Sequence, residues 1–564
     1  MKKPTSFTLF HVDETRKIQD FMEQYKAKHP DIDLDDPLTD ALLAGVAFLN
    51  ARTATAFEES KQNLAQGLLQ VAYPHLSNPA HVPVLLFQAD IPATVSTAQR
   101  LKRLQSLSIT DSNEYANSLR VGLDTELLPI KLVEVQLENA KGQAVMTLRF
   151  EAFEQVERLS DIALQNLRLF LGEDAERVAK LQNLLFKHCV AIRLGRNLRD
   201  SRPLMVPLKQ LVQTAFLEDS ELLSYPGNTE PGYRLLSEFY QYPEKHHFID
   251  IQGLAPYLQQ LSGTKFCLSF YFDCSVEQID IKPNCNDFSL NVLPLVNLFL
   301  TSCWARHPMS DGDYESVHTL QLDPPEGAVF FAESLVEHNL DGRNECQALH
   351  EMLRKDSSTQ YWQARYSDKG YRIALLNKDG RLPFKPDSTF QAMAWCYNDT
   401  ADDDDWSTRA LYQARFDDPT VEVAKEVRYR YLYSAGTRTP KEEPWAIWRL
   451  FMQVRQQQQQ TILKAADKTA YLRSVIELAG VLTANTQCSD LAKSIKEVTL
   501  AERVVPVVIQ NQQVLKRRFQ LLVTIAAECR FSEALLEQLL ATLVNYELFE
   551  PLVVSITKEP SADV

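Results

Sequence analysis

Histidine, cysteine and carboxylate residues with a spacing that suits metal or acid–base chemistry are few in this sequence. His350-Glu351 resembles the start of the zinc-protease pattern His-Glu-x-x-His, in which two imidazoles one helical turn apart bind the metal. Arg354 stands where the second histidine is needed. Because a cation there would repel a metal ion, the sequence argues against a zinc protease.

His246 and His247 form the next candidate pair. They follow Pro243-Glu244-Lys245, which indicates a turn leading into a strand. Adjacent residues of a strand point to opposite faces, so the two imidazoles would not readily bind one ion. We therefore expect both histidines to be structural.

The nine cysteines are scattered along the chain and form no Cys-x-x-Cys pair. This pattern is typical of small buried thiols in a reducing compartment. The alternative is a zinc site formed by Cys267, Cys274 and Cys285, although their spacing matches no known zinc loop.

Other signatures of catalysis are missing. The sequence contains no phosphate-binding loop, no dinucleotide-binding turn and no nucleophile elbow. Only 17 glycines occur in 564 residues, which is few for a chain whose loops cradle a ligand. The acidic run from Asn398 to Asp405 lacks the alternating pattern of a calcium loop, and we expect a solvated loop there. The sequence thus predicts no catalytic residue, no cofactor and no metal ion.

The composition limits the classes of partner. The net charge is −15, from 59 basic and 74 acidic residues, whereas a nucleic-acid-binding protein carries a basic surface. No apolar run reaches the ~18–20 residues that span a bilayer, and no apolar stretch of a signal peptide follows the first lysines. We expect a cytoplasmic protein with no nucleic-acid partner and no direct membrane insertion.

Two long helices are predicted near the N-terminus. Helical spacing of apolar residues predicts the first from Asp13 to His29, where Pro30 ends it. The second begins at the cap Asp36-Pro37 and runs without proline to Tyr73-Pro74, about 50 Å at 1.5 Å per residue. An apolar stripe along it forms a candidate partner-helix interface: Leu38, Leu42, Val46, Leu49, Leu64, Leu68 and Val71. Other long helices, from this chain or from partner chains, are needed to cover this stripe.

The rest of the chain predicts an α+β fold. Residues 1–78 would be a helical segment, followed by a β-rich middle of two subdomains. The first would comprise residues 79–200, with a helix near 174–187, and the second residues 201–435. Residues 436–557 are predicted to be a helix-rich region of mixed structure, and residues 558–564 a disordered tail. Within this region the sequence predicts helices at 444–463, 471–482 and 532–549, and strands at 503–518 and 520–525.

Four blocks of the sequence resemble the TssF family, a baseplate component of type VI secretion systems. Residues 36–52 (DPLTDALLAGVAFLNAR) are similar to its D-P-x-V-x-R-L-L-E-G-x-A-F-L-x-A-R, with Asp40 and Ala44 as departures, and residues 68–75 (LLQVAYPH) to L-L-x-x-x-Y-P-H. Residues 216–226 are similar to G-F-x-x-x-E-x-L-L-P-Y-P, with Ala215 and Ser224 as departures. Residues 232–245 are similar to G-Y-R-L-L-x-E-Y-F-x-F-P-x-K-F, and residues 291–299 to N-x-x-P-x-x-N-L-F. Order and spacing agree over residues 13–300, and the likeness thins after about 310. Within the third block we expect an apolar core face and an ion pair between Glu238 and Lys245.

The resemblance implies a structural role without catalysis. The family forms wedges in which two copies join one TssG, and six wedges surround the VgrG spike hub. TssK, which links to the membrane complex, and TssE, near the contractile sheath, are further partners. Recruitment to the inner membrane would follow through the secretion complex. For the apolar stripe, the resemblance implies packing against the same helix of a second copy and against TssG.

Two alternative functions stay open at this point. A phage-tail-derived wedge protein of another contractile injection system would serve in a similar scaffold. A metal-dependent hydrolase or secreted effector would instead need a convergent polar pocket with perturbed ionisable groups.

Overall fold

The computed structural model describes residues 6–28, 37–72, 82, 84–110, 116–140, 142–197, 202–223, 231–305, 317–322, 327–339, 342–349, 360–367, 370–377, 380–381, 389–398, 410–418, 423, 426–435, 448, 462–483, 486–509, 512–545 and 552–559. Its α-helices are α1 (Ser6–Lys28), α2 (Pro37–Ala72), α3 (Ala175–Lys187), α4 (Pro231–Gln241), α5 (Ala255–Leu258), α6 (Lys468–Thr483), α7 (Thr486–Ser494) and α8 (Glu533–Asn545).

Strands dominate the middle of the chain. They are β1 (Val84–Asp90), β2 (Gln99–Leu101), β3 (Ser106–Thr110), β4 (Ala116–Val121), β5 (Thr125–Leu127), β6 (Ile130–Ala140), β7 (Gln143–Ala152), β8 (Asn166–Phe170), β9 (Cys189–Gly195), β10 (Leu204–Val206), β11 (Leu211–Gln213), β12 (Phe248–Gln252), β13 (Lys265–Phe272), β14 (Val292–Val296), β15 (Phe299–Ala305), β16 (Val317–Leu322), β17 (Ala328–Asn339), β18 (Gly342–Ala348), β19 (Tyr361–Ser367), β20 (Gly370–Asn377), β21 (Gly380–Arg381), β22 (Thr389–Tyr397), β23 (Leu411–Phe416), β24 (Arg428–Ala435), β25 (Ile495–Ile509), β26 (Gln512–Ile525) and β27 (Val553–Lys558). The α+β class predicted from the sequence is confirmed.

Both N-terminal helices form as predicted. α2 contains 36 residues, which is about 54 Å of helix, and Pro37 occupies its first position, where the missing amide hydrogen costs nothing. α1 begins at Ser6, earlier than the predicted Asp13, because Phe7, His11 and Glu14 continue the face that Ile18 shares. The predicted cap Asp36 and the predicted end at Tyr73-Pro74 lie outside the described residues.

A closed barrel holds the centre of the fold, with strands in the order β1-β14-β4-β3-β23-β24. β1 pairs with β14 on one side and with β24 on the other. Leu85 and Phe87 of β1 point into the barrel core, while Val84 and Leu86 join a second core outside it. The uninterrupted apolar run of β1 follows from this burial of both faces.

A five-stranded sheet, β10-β9-β13-β7-β6, lies next in the fold and is covered by α3. The predicted helix 174–187 is confirmed as α3, and the Asp174 carboxylate caps it by accepting hydrogen bonds from the amides of Glu176 and Arg177, at 3.0 and 3.3 Å. A small sheet, β11-β12-β8, and the pair β2-β5 complete this part.

The eight-stranded sheet β16-β15-β22-β17-β18-β19-β20-β21 is built entirely from residues between Phe299 and Arg381 together with β22. It has its own apolar core, which includes Leu335, Ile373 and Phe390. The sheet is thus an insertion between the barrel strands β14 and β23.

The C-terminal part combines α6, α7 and α8 with the sheet β25-β26-β27. The helices predicted at 471–482 and 532–549 correspond to α6 and α8. The two strands predicted at 503–518 and 520–525 were divided wrongly, since β26 spans Gln512–Ile525 without a break. The helix predicted from Pro444 to Leu463 lies mostly outside the described residues, as does most of the predicted tail, although Lys558 itself belongs to β27.

The predicted boundaries at residues 78 and 200 do not separate sheets or cores. The barrel joins β1, β3 and β4 to β14 and to β23 and β24, so its strands come from both predicted subdomains. Leu69, near the end of α2, lies in the core of the C-terminal part. The cause is non-local pairing: strand patterns predict where strands lie but not which strands pair.

Candidate functional site

The predicted interface residues lie on one exposed face of α2, here called the α2 stripe: Leu38, Leu42, Val46, Leu49, Leu64 and Leu68. Leu38, Leu42, Leu49 and Leu64 each expose between 60% and 67% of their surface. Val71 also belonged to the prediction, but nothing is described of its side chain. The six described residues of the predicted interface thus share one face of α2, and the described part of the chain leaves this face exposed.

A different face of α2 is the one that this chain covers. Ala47 and Ala51 are buried where α1 packs, and small side chains allow helices to approach closely. Phe48 joins an aromatic cluster with Phe7, at 5.4 Å between ring centroids, and with His11. The sequence reasoning missed this face because alanine carries a weak apolar signal. α1 thus leaves the α2 stripe open.

A polar contact fixes α1 beside α2. The Glu14 carboxylate accepts hydrogen bonds from Lys17 Nζ at 2.9 Å and from Asn50 Nδ2 at 3.2 Å. These two bonds lower the pKa of Glu14, so the carboxylate stays charged at neutral pH. The contact orients α1 without using any residue of the α2 stripe.

The candidates for metal or acid–base chemistry do not converge in the described part of the chain. His350, Glu351 and Arg354 lie outside the described residues, as does the acidic run after Asn398. Asn398 itself is structural: its Nδ2 donates to Ser118 O at 2.8 Å and to Asn297 Oδ1 at 2.7 Å.

His246 and His247 are both buried in a short 3₁₀ helix that precedes β12. His247 Nδ1 lies 2.8 Å from Gly172 O, and burial lowers the pKa of His247 to about 4. Burial also lowers the pKa of His246 well below its usual value, and the rings of Phe216 and Phe239 pack against it. Both side chains are neutral at physiological pH and serve the core, as predicted.

The predicted alternative zinc group does not form. Cys267 is buried on β13, while Cys285 is exposed in a separate 3₁₀ turn. Five of the described cysteines are buried: Cys267, Cys303, Cys346, Cys396 and Cys529. The structure does bring Cys274 next to His188 and Asp273, three residues that the sequence reasoning did not connect.

A buried ion pair occupies the third resemblance block. Lys245 Nζ lies 2.5 Å from Glu238 Oε2, as predicted, and both side chains are buried. Glu238 Oε1 also accepts hydrogen bonds from the backbone amides of Leu222 and Leu223, at 2.9 and 3.1 Å. The carboxylate thus ties the segment 221–223 to α4 and has a structural role in the interior.

Two arginines hold the same segment from the barrel side. Arg103 Nε donates to Glu221 O at 2.6 Å, and Arg120 Nη2 donates to Leu222 O at 3.0 Å. The Arg120 guanidinium also stacks 4.5 Å above the ring of Trp395, a residue of the inserted sheet. The motif therefore joins the barrel, α4 and the eight-stranded sheet.

The fourth resemblance block supplies two structural asparagines. Asn291 has a φ of 58°, a left-handed conformation that asparagine tolerates, and its side chain bonds to both backbone groups of Leu128. Asn297 is fully buried and accepts a hydrogen bond from the amide of Asn398 at 3.0 Å. Both residues position the ends of β14 rather than a ligand.

An apolar helix face that the described part of the chain leaves exposed is typical of a contact site for another protein. None of the described helices combines the length and apolarity needed to span a bilayer. A family model described as "Type VI secretion system, TssF" matches residues 22–562. Because this match covers nearly the whole chain, the chain belongs to the TssF family of type VI secretion system components.

Individual proteins are also similar to this chain. The component TssF1 of Pseudomonas aeruginosa is 22% identical over 383 residues, which is 64% of this chain and 61% of that relative. The similarity thus spans less than two thirds of the length of TssF1. A chain of a TssK-TssF-TssG baseplate subcomplex, solved by cryo-electron microscopy, has a TM-score of 0.68 at 16% identity and covers 92% of this chain and 96% of its own. A chain of a type VI baseplate complex has a TM-score of 0.57 at 16% identity, covering 98% and 96%. These similarities show a shared fold.

Proposed function

We propose that this chain is a structural wedge subunit of a type VI secretion baseplate and acts by binding other proteins, without catalysis or a cofactor. The observation that carries the proposal is the α2 stripe, six apolar residues that the described part of the chain leaves exposed on a helix of 36 residues. An exposed apolar face of this length is expected to be buried by other chains in the assembled complex.

The α2 stripe carries enough apolar surface to stabilise a contact with another chain. Full burial of a leucine side chain contributes about 1.5–3 kcal/mol, and the stripe carries five leucines and one valine. Part of this gain is offset by the freedom that the chains lose on association. Helices of similar length are suitable partners, because the side-chain ridges of one helix pack into the grooves of another over several turns.

The proposed partners are TssG and a second copy of this chain on the α2 stripe, with two copies for each TssG. TssK is a further partner, since the relative in the solved subcomplex is found with TssK and TssG. Contacts with TssE and the VgrG hub follow from the same wedge position. The chain would work in the cytoplasm and reach the inner membrane through the secretion complex.

The test is co-expression of this chain with a tagged TssG from the same organism. The double variant Leu42→Asp and Leu49→Asp should abolish co-purification, because two carboxylates would have to be buried in an apolar interface. Both leucines are exposed in the free chain, so the variant should fold with an unchanged circular dichroism spectrum.

A matched control is Leu9→Asp with Val12→Asp. These two residues of α1 expose 58% and 64% of their surface, so the same change is made on a helix beside the stripe. Co-purification should survive this change. Unimpaired binding of TssG by the Leu42 and Leu49 variant would overturn the proposal.

A further inference from the structure

The corner between α3 and β9 brings together three metal-binding side chains from distant parts of the sequence. His188 follows the last residue of α3, while Asp273 and Cys274 follow β13. His188 Nδ1 lies 2.9 Å from Asp273 Oδ1, and ligand atoms of all three residues lie within 4.8 Å of one another. Among the residues that the structure describes, these three form the group of potential metal ligands whose ligand atoms lie this close together.

The backbone holds the three residues in place before any ion binds. The amide of Asp273 donates to His188 O at 3.0 Å, directly beyond the ladder pair Phe272 and Cys189. The amide of Ala144 donates to Cys274 O at 2.8 Å. The ligands therefore stand at the end of a hydrogen-bonded sheet, which reduces the ordering needed on binding.

We propose that His188, Asp273 and Cys274 bind one transition-metal ion of the zinc type. Imidazole, carboxylate and thiolate are the nitrogen, oxygen and sulfur donors that Zn²⁺ and Co²⁺ accept in tetrahedral sites. Three protein ligands leave a fourth position for water, and His188 and Asp273 are half exposed.

Binding requires the thiol to lose its proton. Burial and the nearby Asp273 carboxylate raise the pKa of Cys274, so the metal-free cysteine is a neutral thiol. The sulfur would form a bond to the ion and release its proton to solvent. Lys187, which precedes His188 in the chain, does not compete with a metal ion for the Asp273 carboxylate. Its Nζ is paired with Glu533 and Glu537, at 2.7 and 3.1 Å.

The test uses the full-length chain, stripped of metal with a chelator and kept reduced, and titrated with Co²⁺. A single site should give the thiolate-to-cobalt charge-transfer band in the near ultraviolet together with strong visible bands of four-coordinate cobalt, and Zn²⁺ should displace them. Cys274→Ser should abolish the charge-transfer band. His188→Ala should weaken binding by more than about tenfold, the loss that even outer ligand partners cause.

Cys285→Ser is the control, because Cys285 is the exposed cysteine among those described and lies outside the corner. Its titration should match that of the unaltered chain. The proposal is overturned if the charge-transfer band never forms, if it survives Cys274→Ser, or if His188→Ala binds as tightly as the unaltered chain. Thermal unfolding of each metal-free variant shows whether it is folded. The result is independent of the proposed role in the baseplate, since the titration involves no partner.

Discussion

Charged side chains in the interior of this protein hold its segments together. Arg168 makes two hydrogen bonds of 2.8 Å to the carboxylate of Asp250, across the paired strands β8 and β12. Glu238 and Lys245 do the same for α4 and the segment 221–223. The pairing of Glu238 with Lys245 could be predicted because they lie seven residues apart in one motif. The contact of Arg120 with Leu222 O could not, because 102 residues separate the two.

Removal of Lys245 tests the buried pair. Lys245→Met would leave the Glu238 carboxylate buried without its counter-charge, and such losses cost about 3–5 kcal/mol of stability. Urea unfolding should show the effect. Lys180→Met, which removes a surface ion pair with Glu176, should change the midpoint little. An equally small change for Lys245→Met would contradict the structural role of the pair.

Acid destabilisation tests the burial of His247. Its pKa is about 4 in the folded chain, below the ordinary 6.5, so the unfolded chain binds the proton first as pH falls. The contribution is absent above pH 6.5 and destabilises the fold progressively towards pH 4, by up to about 3 kcal/mol. Unfolding temperatures measured between pH 7 and 4.5 should therefore fall less steeply for His247→Gln than for the unaltered chain. Parallel curves would mean that the imidazole is not held neutral.

At the scale of single elements, α2 is the part that the sequence predicted best. The positions of its prolines predicted where it begins and how long it is, and the helical spacing of its leucines predicted its apolar stripe. The helix has two faces, however, and α1 covers the face of small residues, Ala47 and Ala51, instead of the stripe. Hydrophobicity alone could not assign these faces, because an apolar residue buried by its own chain has the same pattern as one reserved for a partner.

Gly122 and Gly45 differ in the space around them, and substitution by alanine tests this difference. A Cβ at Gly122 would lie 2.9 Å from Leu222 Cδ2 and 3.1 Å from Pro294 O, so Gly122→Ala should cost about 1–3 kcal/mol through overpacking. Gly45 in α2 has no atom within 4 Å of such a Cβ, and Gly45→Ala should stabilise the helix by about 0.5–1 kcal/mol. Thermal unfolding of both variants should shift in opposite directions. A loss of stability with Gly45→Ala would contradict the open space that the structure places around Gly45.

At the scale of the whole molecule, the chain contributes strands to its central barrel in three separate passes. β1, β3 and β4 come first, β14 follows after the five-stranded sheet, and β23 and β24 follow after the inserted sheet. Strand periodicity located several of these strands but could not reveal this order, because pairing partners lie as much as 351 residues apart, as Val84 and Ala435 do. Only the α+β class and the family resemblance could be predicted at this scale.

The contact between α3 and α8 joins the middle of the chain to its C-terminal part, and it can be tested by mutation. Lys187 of α3 bridges Glu533 and Glu537 of α8, and Asn183 accepts hydrogen bonds from Ser532 and Ala534. Lys187→Glu would place a third carboxylate in this contact and should increase hydrogen exchange of α8 and β27. Lys180→Glu, on the exposed face of the same helix, should leave their exchange unchanged. Equal protection in both variants would show that the ion pairs do not hold α8.

The most direct test of the central claim is a cryo-electron microscopy structure of this chain co-expressed with TssG from the same organism. The predicted result is that helices of other chains cover Leu42 and Leu49 and that two copies of this chain accompany each TssG. A complex in which the α2 stripe remains exposed to solvent would contradict the claim.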